Sequence, residues 1–345
     1  MARAVGWRGL GWFWVAVLLL LAGGAGVLQV LGPPRPAPAA KPVPVAASVP
    51  PPIPAAPTAG LAQPQGPVPP GAVPPPDPRL LEPSSMFPGG MLPHPGPGGL
   101  TPMRAYAAAF HPSDQRPRVA VLLGGIGMSE TDSEEAIRTT PAAISLAVSP
   151  YAFRPERLLA DARAAGHELF LALPLEPARY PLDDPGNRAL LTGNPSALNR
   201  QRLEWALTRF AGYVGATGAL NGMRGERFAA ASELMNPLLE EFAARGLLYI
   251  DPRPGAPHLP YAFGRSVDVV VDEPAVRTEI EANLARLEQV ARDRGAALGL
   301  VGEPRPVTLT RLAAWAATLG ARGLVLAPVS AIAQPPPAPA PRTIN

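Results

Sequence analysis

The sequence predicts an α/β fold for residues 116–333, because short apolar runs alternate there with longer amphipathic segments. Six or seven of the short runs have the composition of strands, and most are followed by a stretch with helical periodicity. A domain of this length with six to eight parallel strands fits a closed (β/α) barrel or an open doubly wound sheet. The spacing of the elements leaves both architectures open.

The strand candidates share apolar, partly β-branched composition and turn residues at their ends. They are residues 119–123, 144–148, 168–173, 247–250, 267–271, 297–301 and 324–326. The helix candidates carry apolar stripes and recognisable end signals. They are residues 154–165, closed by Gly166; 196–210, capped by Ser196; and 273–294, with Pro274 in the first turn and Gly295 after the end.

An apolar segment near the amino terminus predicts a membrane anchor. Residues 9–31 contain no charge over 23 positions, which is long enough to cross a hydrocarbon core of ~30 Å. Arg3 and Arg8 precede this segment, so the positive-inside rule places the amino terminus in the cytoplasm. We therefore expect residues 1–32 to be a single transmembrane anchor. A signal peptide cleaved near residues 37–39 is the alternative.

Proline dominates the next segment. Of the 49 prolines, 25 lie between residues 33 and 102, where we find no apolar periodicity and few charges. Such a composition is typical of an extended polyproline-like spacer that buries little surface. The sequence therefore predicts a disordered linker over residues 33–115 and a second disordered, proline-rich tail over residues 334–345.

Composition and charge exclude several classes of function. The chain has no cysteine, which rules out disulfide scaffolds, thiolate metal sites and cysteine nucleophiles. The formal net charge is +3, but residues 117–345 contain 23 Arg and 24 acidic residues. The domain is therefore balanced, and it lacks the excess of positive charge expected of a nucleic-acid-binding protein.

Candidate functional residues lie where predicted strands end, because connecting loops converge at that end in both architectures. These candidates are Glu176, Glu226, Arg227, Asp251, Glu303 and Arg305. Carboxylates facing each other across a cleft, with Tyr151, Tyr180, Tyr249 and Tyr261 nearby in sequence, hydrolyse glycosidic bonds or bind sugar hydroxyls. The simpler alternative is that these acids end strands and pair with arginine. The paired acids of residues 183–186 are interpreted as a turn.

The glycines after the first strand do not form a nucleotide-binding motif. Gly124, Gly125 and Gly127 lack the spacing of a dinucleotide fingerprint, and no Walker lysine follows them. We interpret them as a tight strand-to-helix turn, with Ser129 or Thr131 capping the helix.

The four histidines lack the spacing of a metal site. His94 and His111 lie in or beside the predicted linker, and His258 lies in a predicted loop. His167 lies at the start of a predicted strand, so we expect it to pack or cap at the end opposite the candidate site.

Several segments of the domain carry a family resemblance. They read SPYAFRPE, AAGHELFLALPLEP, YPLDDPGNRALLT, LEWALTRFAGYVGATG, RGLLYIDPRP and PVTLTRLAAWAATLGARGLVLAPVSAI, in this order along residues 117–333. Together they resemble the divergent polysaccharide deacetylase family of Gram-negative bacteria. The resemblance implies a distorted (β/α) barrel of about seven strands, a location in the periplasm and a role in carbohydrate metabolism, related to deacetylation of chitin oligosaccharides and peptidoglycan.

The resemblance also implies a divalent metal, an Asp base and a His acid, yet this chain departs from that pattern. The family's first strand typically ends in an Asp-Asp pair, where this chain has Gly124 and Gly125. Family members tend to carry a His before the Pro-x-Pro-Val-Thr segment, where this chain has Gly302 and Glu303. We therefore predict no metal and no other cofactor.

These observations lead to three functional hypotheses. The first is a protein anchored in the inner membrane by one span, with a periplasmic domain that binds cell-envelope glycan or acts as a scaffold without metal-dependent deacetylation. Its binding residues are Glu176, Glu226, Arg227, Asp251 and Arg305. The second is an active hydrolase or deacetylase with a site rebuilt from Glu176, Asp251 and Glu303. The third is a structural envelope protein that reaches an unidentified protein partner through its proline arm.

Overall fold

The computed structural model describes residues 12, 14, 17–21 and 71–337. The chain divides into two units, Met1–Gly60 and Leu61–Asn345. In the first unit, the described residues 12, 14 and 17–21 are helical. Most of the predicted anchor, residues 33–70 of the predicted linker and residues 338–345 of the predicted tail lie outside the described residues. Over the described ranges, no helix is both long enough and apolar enough to cross a membrane.

The second unit contains the α/β fold. Its strands are β1 Leu81–Pro83, β2 Met91–Pro93, β3 Arg118–Ile126, β4 Ser145–Val148, β5 Leu169–Ala172, β6 Gly215–Thr217, β7 Leu248–Asp251, β8 Gly264–Ser266, β9 Val269–Val270, β10 Ala296–Val301 and β11 Val325–Leu326. Its α-helices are α1 Pro102–Ala105, α2 Glu130–Thr139, α3 Glu156–Ala164, α4 Ser196–Leu207, α5 Glu226–Ala230, α6 Ser232–Ala244, α7 Arg277–Arg294 and α8 Pro306–Leu319.

The main sheet is parallel, and neighbouring strands are consecutive in the chain from β3 to β8, while β10 and β9 lie on the other side of β3. Its strands lie in the order β8-β7-β6-β5-β4-β3-β10-β9, and β11 pairs with the first part of β3. Only Val267 and Asp268 separate β8 from β9, and their amides donate to Asp251 O of β7 and Leu298 O of β10. The short segment that contains β8 and β9 therefore pairs with β7 on one side and with β10 on the other. The parallel α/β prediction is confirmed, in the form of a half-barrel rather than a doubly wound sheet.

Alternation along the strands produces two apolar layers. In β3, Val119, Val121 and Leu123 pack in the layer that contains the helix residues. Ala120 and Leu122 between them face the second layer, inside the half-barrel. Because successive side chains point to opposite faces of a sheet, one continuous apolar run fills both layers.

Residues 71–115, which we call the strap, correct the linker prediction. The strap contains the hairpin of β1 and β2 and the short helix α1, and several of its apolar side chains are buried in the inner layer. Leu80 and Tyr106 are 0% and 2% exposed, and the Tyr106 hydroxyl accepts a hydrogen bond from Asp77 N at 2.8 Å. Proline removes amide donors, but it does not prevent neighbouring side chains from being buried. The missing periodicity thus indicated only that long helices and strands are absent.

The strap is also held by polar contacts with the rest of the unit. Val73 N donates to Arg163 O at 2.9 Å, and Met103 N donates to Gly246 O at 3.1 Å. Arg245 forms an ion pair of 3.0 Å with Glu82. Residues 71–115 are therefore part of the folded domain.

Some predicted boundaries also change. The helix predicted over residues 273–294 begins at Arg277, because Val276 is extended, so Pro274 lies outside it. Strand β6 was missed, since its three residues include only one β-branched side chain. The first residue of the predicted disordered tail, Gln334, exchanges two backbone hydrogen bonds with Gly264.

A buried carboxylate joins three parts of the unit at the start of β5. Glu168 is 0% exposed, and its side chain accepts hydrogen bonds from Ala108 N of the strap, Ser145 Oγ of β4, and Ser330 N and Oγ. Four donors satisfy the two carboxylate oxygens, which a buried charge requires. The strap, β4 and the segment after β11 thus share one anchor point.

Replacing Tyr106 by Ala tests whether the strap belongs to the domain. We expect Tyr106→Ala to lower the free energy of unfolding of the full chain by about 3 kcal/mol, because it removes a buried aromatic ring. The matched control is Met86→Ala, since Met86 lies in the strap but is 45% exposed. Both are measured by denaturant unfolding, and equal small effects would show that the strap does not contribute to the fold.

Candidate functional site

The candidate site lies at the mouth of the half-barrel, where the strands end on their carboxyl side. The first strand of the main sheet, β3, contains Gly124 and Gly125 just before its last residue, Ile126, and α2 begins soon afterwards. Ser129 caps α2 by accepting a hydrogen bond from Asp132 N, as the sequence predicts. Ser133 Oγ also accepts from Gly127 N at 2.9 Å. The glycine segment is therefore a fixed turn between strand and helix.

Glu176 follows β5 and is a buried link between loops. It is 4% exposed and accepts hydrogen bonds from Thr192 N, Thr192 Oγ1 and Arg227 Nη1, the last at 3.0 Å. Burial raises the pKa of the Glu176 carboxyl, but the Thr192 and Arg227 hydrogen bonds outweigh burial and leave this pKa below its ordinary value. Arg227 also donates to Ala178 O and Tyr180 O, so the pair braces the loop after β5.

Two of the other predicted carboxylates, Asp251 and Glu303, are each paired with an arginine two residues further along the chain. Asp251 ends β7, is 1% exposed and accepts hydrogen bonds from Arg253 N, Nε and Nη2. Glu303 pairs with Arg305, with 2.8 Å between the guanidinium Nη2 and the carboxylate Oε2. These acids are held as ion pairs, which is the simpler of the two alternatives that the sequence left open.

A polar cleft of about 520 Å³ opens at the mouth. Its lining comes from the loops after β5, β6 and β9, namely Pro177, Ala178, Arg179, Asp183, Asn221, Gly222, Met223, Arg224, Glu226 and Glu273. Arg224 lies between two acids, with contacts of 3.4 Å to Glu226 and 2.6 Å to Glu273. Arg179 pairs with Asp183 at 2.7 Å. The cleft is thus rich in charged groups whose charges largely balance.

Asp272, which sequence reasoning missed, fixes the loop after β10. Its carboxylate accepts hydrogen bonds from Gly302 N at 2.9 Å and from Glu303 N at 3.3 Å. Burial is the main influence and raises the pKa of Asp272 above its ordinary value, although both hydrogen bonds act in the opposite direction. Asp272 therefore fixes the backbone at Gly302 and Glu303.

Among the described residues, the histidines are not part of any arrangement that could bind a metal. His167 is 0% exposed, with its ring nitrogens 2.8 Å from Ile144 O and 3.3 Å from Ile137 O, which confirms the predicted packing role. The His258 ring contacts the backbone oxygen of Leu259. Within the described ranges, no group of three or more His, Asp or Glu residues is placed to hold a metal ion.

The structure separates the predicted residues into two groups. Only Glu226 lines the cleft, whereas Glu176 and Asp251 are nearly inaccessible and Arg227 braces a loop. Sequence reasoning missed the remaining charged residues of the cleft, which are Arg179, Asp183, Arg224 and Glu273. Arg179, Asp183 and Glu273 follow predicted strand ends, whereas Arg224 lies with Glu226 after β6, a strand that the sequence did not predict.

Comparison with known proteins gives the context of this site. Residues 121–333 match the family model described as divergent polysaccharide deacetylase. A crystal structure of an uncharacterized protein from Agrobacterium tumefaciens C58 is similar, with 32% sequence identity and a TM-score of 0.64; the match covers 70% of this chain and 99% of that one. None of the curated proteins matches the chain.

Two more distant solved structures are described as carbohydrate-modifying enzymes. A family 4 carbohydrate esterase from Streptomyces lividans has 13% identity and a TM-score of 0.40, covering 65% of this chain and 99% of that one. The catalytic domain of a peptidoglycan N-acetylglucosamine deacetylase from Eubacterium rectale ATCC 33656 has 13% identity and a TM-score of 0.38, covering 64% and 90%. The family match extends over more than half of the chain, and the protein therefore belongs to the divergent polysaccharide deacetylase family.

Proposed function

We propose that this protein is a membrane-anchored periplasmic protein that binds cell-envelope glycan at the mouth of its half-barrel and does not deacetylate by a metal route. Carbohydrate-related function follows from the family. The anchor in the inner membrane rests on residues 9–31. We also interpret the half-barrel as a distorted (β/α) barrel of about seven strands, because Gly264–Ser266 and Val269–Val270 pair with its two ends.

The observation that carries this proposal is the close packing of glycines at the mouth. A Cβ atom on Gly124 would lie 2.9 Å from Gly302 O, and a Cβ atom on Gly125 would lie 2.8 Å from Pro304 Cδ. Gly125 also has a φ of +74°, which L-residues with side chains rarely adopt. The space that ligand carboxylates would need is therefore filled by the loop after β10, and the residues present do not fit the family's metal.

The remaining carboxylates at the mouth support the same proposal. The Glu176 and Asp251 carboxylates are almost fully buried, while the Arg227 and Arg253 side chains paired with them are partly exposed. A metal ion bound by either acid would have to displace its arginine and compete with charge-assisted hydrogen bonds. The alternative of a rebuilt catalytic site at Glu176, Asp251 and Glu303 is thus less well supported than binding.

Glycan binding fits the cleft because sugars present hydroxyl groups that both donate and accept hydrogen bonds. Arg179 and Arg224 supply donors, while Asp183, Glu226 and Glu273 supply acceptors. Because the ion pairs hold these groups in place, less side-chain entropy is lost on binding. Their charges largely cancel, which suits a neutral sugar ring.

The full-length protein tests the anchor. We expect it to remain in the membrane fraction after a high-salt wash, because the apolar segment 9–31 is long enough to span the bilayer. Added protease should reach the domain from the periplasmic side. Recovery of a soluble form that begins near Lys41 would show cleavage and overturn the anchor.

Binding and turnover of chitin oligomers and peptidoglycan fragments test the site. We expect the full chain to bind them and to release no acetate in the presence of zinc, nickel or cobalt. Arg224→Gln should weaken binding at least about tenfold, since it removes a charged donor and leaves two acids unpaired. Arg286→Gln, an exposed change on α7, should leave binding unchanged. Metal-dependent acetate release that disappears in Glu176→Ala or Asp251→Ala would instead establish the rebuilt catalytic site.

Two alanine substitutions test whether the mouth is closed by glycine packing. Gly295 has a φ of +79° and open space around it, so Gly295→Ala should lower the free energy of unfolding by about 1 kcal/mol. Gly125→Ala adds the contact with Pro304, and its total cost should be about 3 kcal/mol. Both values come from denaturant unfolding of the full chain.

The same packing predicts the behaviour of a variant that restores the family's acids. Gly124→Asp combined with Gly125→Asp should be destabilised and should bind no divalent metal. Metal uptake by this variant, measured on the folded protein, would mean that the mouth opens and that only the ligands were lost.

A further inference from the structure

A group of three arginines lies beside the mouth, around one pair of aromatic rings. Most arginines within residues 71–337 pair with a carboxylate, but several do not, and Arg188, Arg202 and Arg209 are among those without an ion pair in this part of the chain. Arg188 and Arg209 lie over the Trp205 ring, and Arg202 is close enough to Tyr151 to interact with its hydroxyl electrostatically. We call these five residues the arginine patch.

The aromatic rings hold two of these arginines in place. The guanidinium carbons of Arg188 and Arg209 lie 5.6 Å and 5.5 Å from the centroid of the Trp205 ring. The Tyr151 ring lies 5.2 Å from the Trp205 ring at an angle of 45°. A guanidinium over an aromatic ring keeps its N–H groups available to bind a carboxylate in bidentate fashion.

Hydrogen bonds that involve the backbone also fix the residues of the arginine patch in place. Arg209 Nε donates to Pro150 O at 2.9 Å, and Arg202 Nη1 donates to Ala189 O. Arg188 N donates to the Tyr151 hydroxyl at 3.2 Å. Because the side chains of Arg188 and Arg209 are positioned before a ligand arrives, less entropy is lost on binding.

The acids close to the patch in sequence are engaged in other contacts. Asp184 Oδ1 accepts a hydrogen bond from Gly186 N at 2.8 Å, which stabilises the turn of residues 183–186. Glu204 Oε1 accepts a hydrogen bond from Ser84 Oγ of the strap. These donors are neutral and do not cancel the formal charge of either acid, so three arginines against two acids leave the patch a formal excess of one positive charge.

The loop after β5 connects this patch to the cleft. Arg179 and Asp183 line the cleft at one end of the loop, and Arg188 belongs to the patch at the other. Only about nine residues of chain separate the two ends, a span of at most ~30 Å when extended. A polymer of several sugars is long enough to contact both.

We propose that the ligand is an acidic glycan, whose carboxylate groups bind at the arginine patch while a neutral sugar ring occupies the cleft. This inference rests on the proposed glycan binding and adds the chemical class of the glycan. The charge pattern is its basis: the cleft carries balanced ion pairs, while the patch carries unpaired arginines. A polymer with both neutral and anionic groups complements both surfaces.

Other polyanions fit the patch less well. Nucleic-acid binding uses free aromatic faces on which bases stack, whereas the Trp205 ring is already contacted by two guanidinium groups and by Tyr151. A membrane-binding surface needs apolar side chains that enter the lipid, and the aromatic rings of this patch are covered in the same way. Phe153 and Leu182, close to the patch in sequence, are exposed, and vesicles of anionic lipid are therefore included in the test.

Two forms of one polymer, one charged and one neutral, distinguish recognition of the carboxylate from recognition of the sugar. Polygalacturonate carries a carboxylate on each sugar, and its methyl-esterified form is neutral. We expect the full chain, measured by titration calorimetry, to bind the free acid about tenfold more tightly than the ester, with the difference falling as NaCl is raised. Arg188→Gln combined with Arg209→Gln should remove this preference, because both exposed guanidinium groups are lost.

Arg286→Gln is the matched control, since it removes one exposed arginine on α7 and should keep the preference. Equal binding of the two polymers, no binding of either, or a preference unchanged in the double variant would overturn the acidic-glycan inference. Equally strong competition by polyphosphate or by vesicles of anionic lipid would also overturn it, in favour of a general anion surface. Binding of chitin oligomers and its loss in Arg224→Gln test the proposed function separately, because those oligomers carry no carboxylate.

Discussion

A carboxylate inside a protein needs hydrogen-bond donors, and this requirement determines how both ends of the half-barrel are built. At the start of β5, Glu168 takes its donors from three separate segments and joins them. At the mouth, Glu176 takes its donors from Thr192 and Arg227, and Asp251 takes its donors from Arg253. These buried acids stabilise loops and strands through the hydrogen bonds that they accept.

The mouth has the same α/β framework that a deacetylase would use, but its centre is occupied by backbone. Gly124 and Gly302 lie so close that a single Cβ atom on Gly124 would contact the carbonyl of Gly302. Asp272 holds Gly302 in this position through its amide. Glycine at position 124 and the close approach of the loop after β10 are thus parts of one arrangement, and a change at one position affects the other.

The layered core could be predicted from the sequence, because β3, β5 and β10 are apolar runs between clear turn signals. The strap could not be predicted to be folded, because its many prolines interrupt the apolar periodicity by which buried segments are recognised. Tyr106 is buried although no repeat of apolar residues surrounds it in the sequence. At the site, the sequence predicted where the charged residues lie in the fold, but it predicted only some of the ion pairs between them. The pairing of Asp251 with Arg253 is local in sequence, whereas Arg227 reaches Glu176 across 51 residues.

Arginine has two roles in this fold, and the contrast between them relates the site to its surroundings. Where an acid lies within reach, as at Arg224, the guanidinium is neutralised and the surface becomes polar without a strong field. Where the guanidinium lies over an aromatic ring instead, as at Arg188, it forms no ion pair among the described residues and is exposed to solvent, so its field acts over about a Debye length of 8–10 Å. The loop after β5 thus adjoins two surfaces with different chemistry, a cleft of ion pairs and a patch of arginines without carboxylate partners.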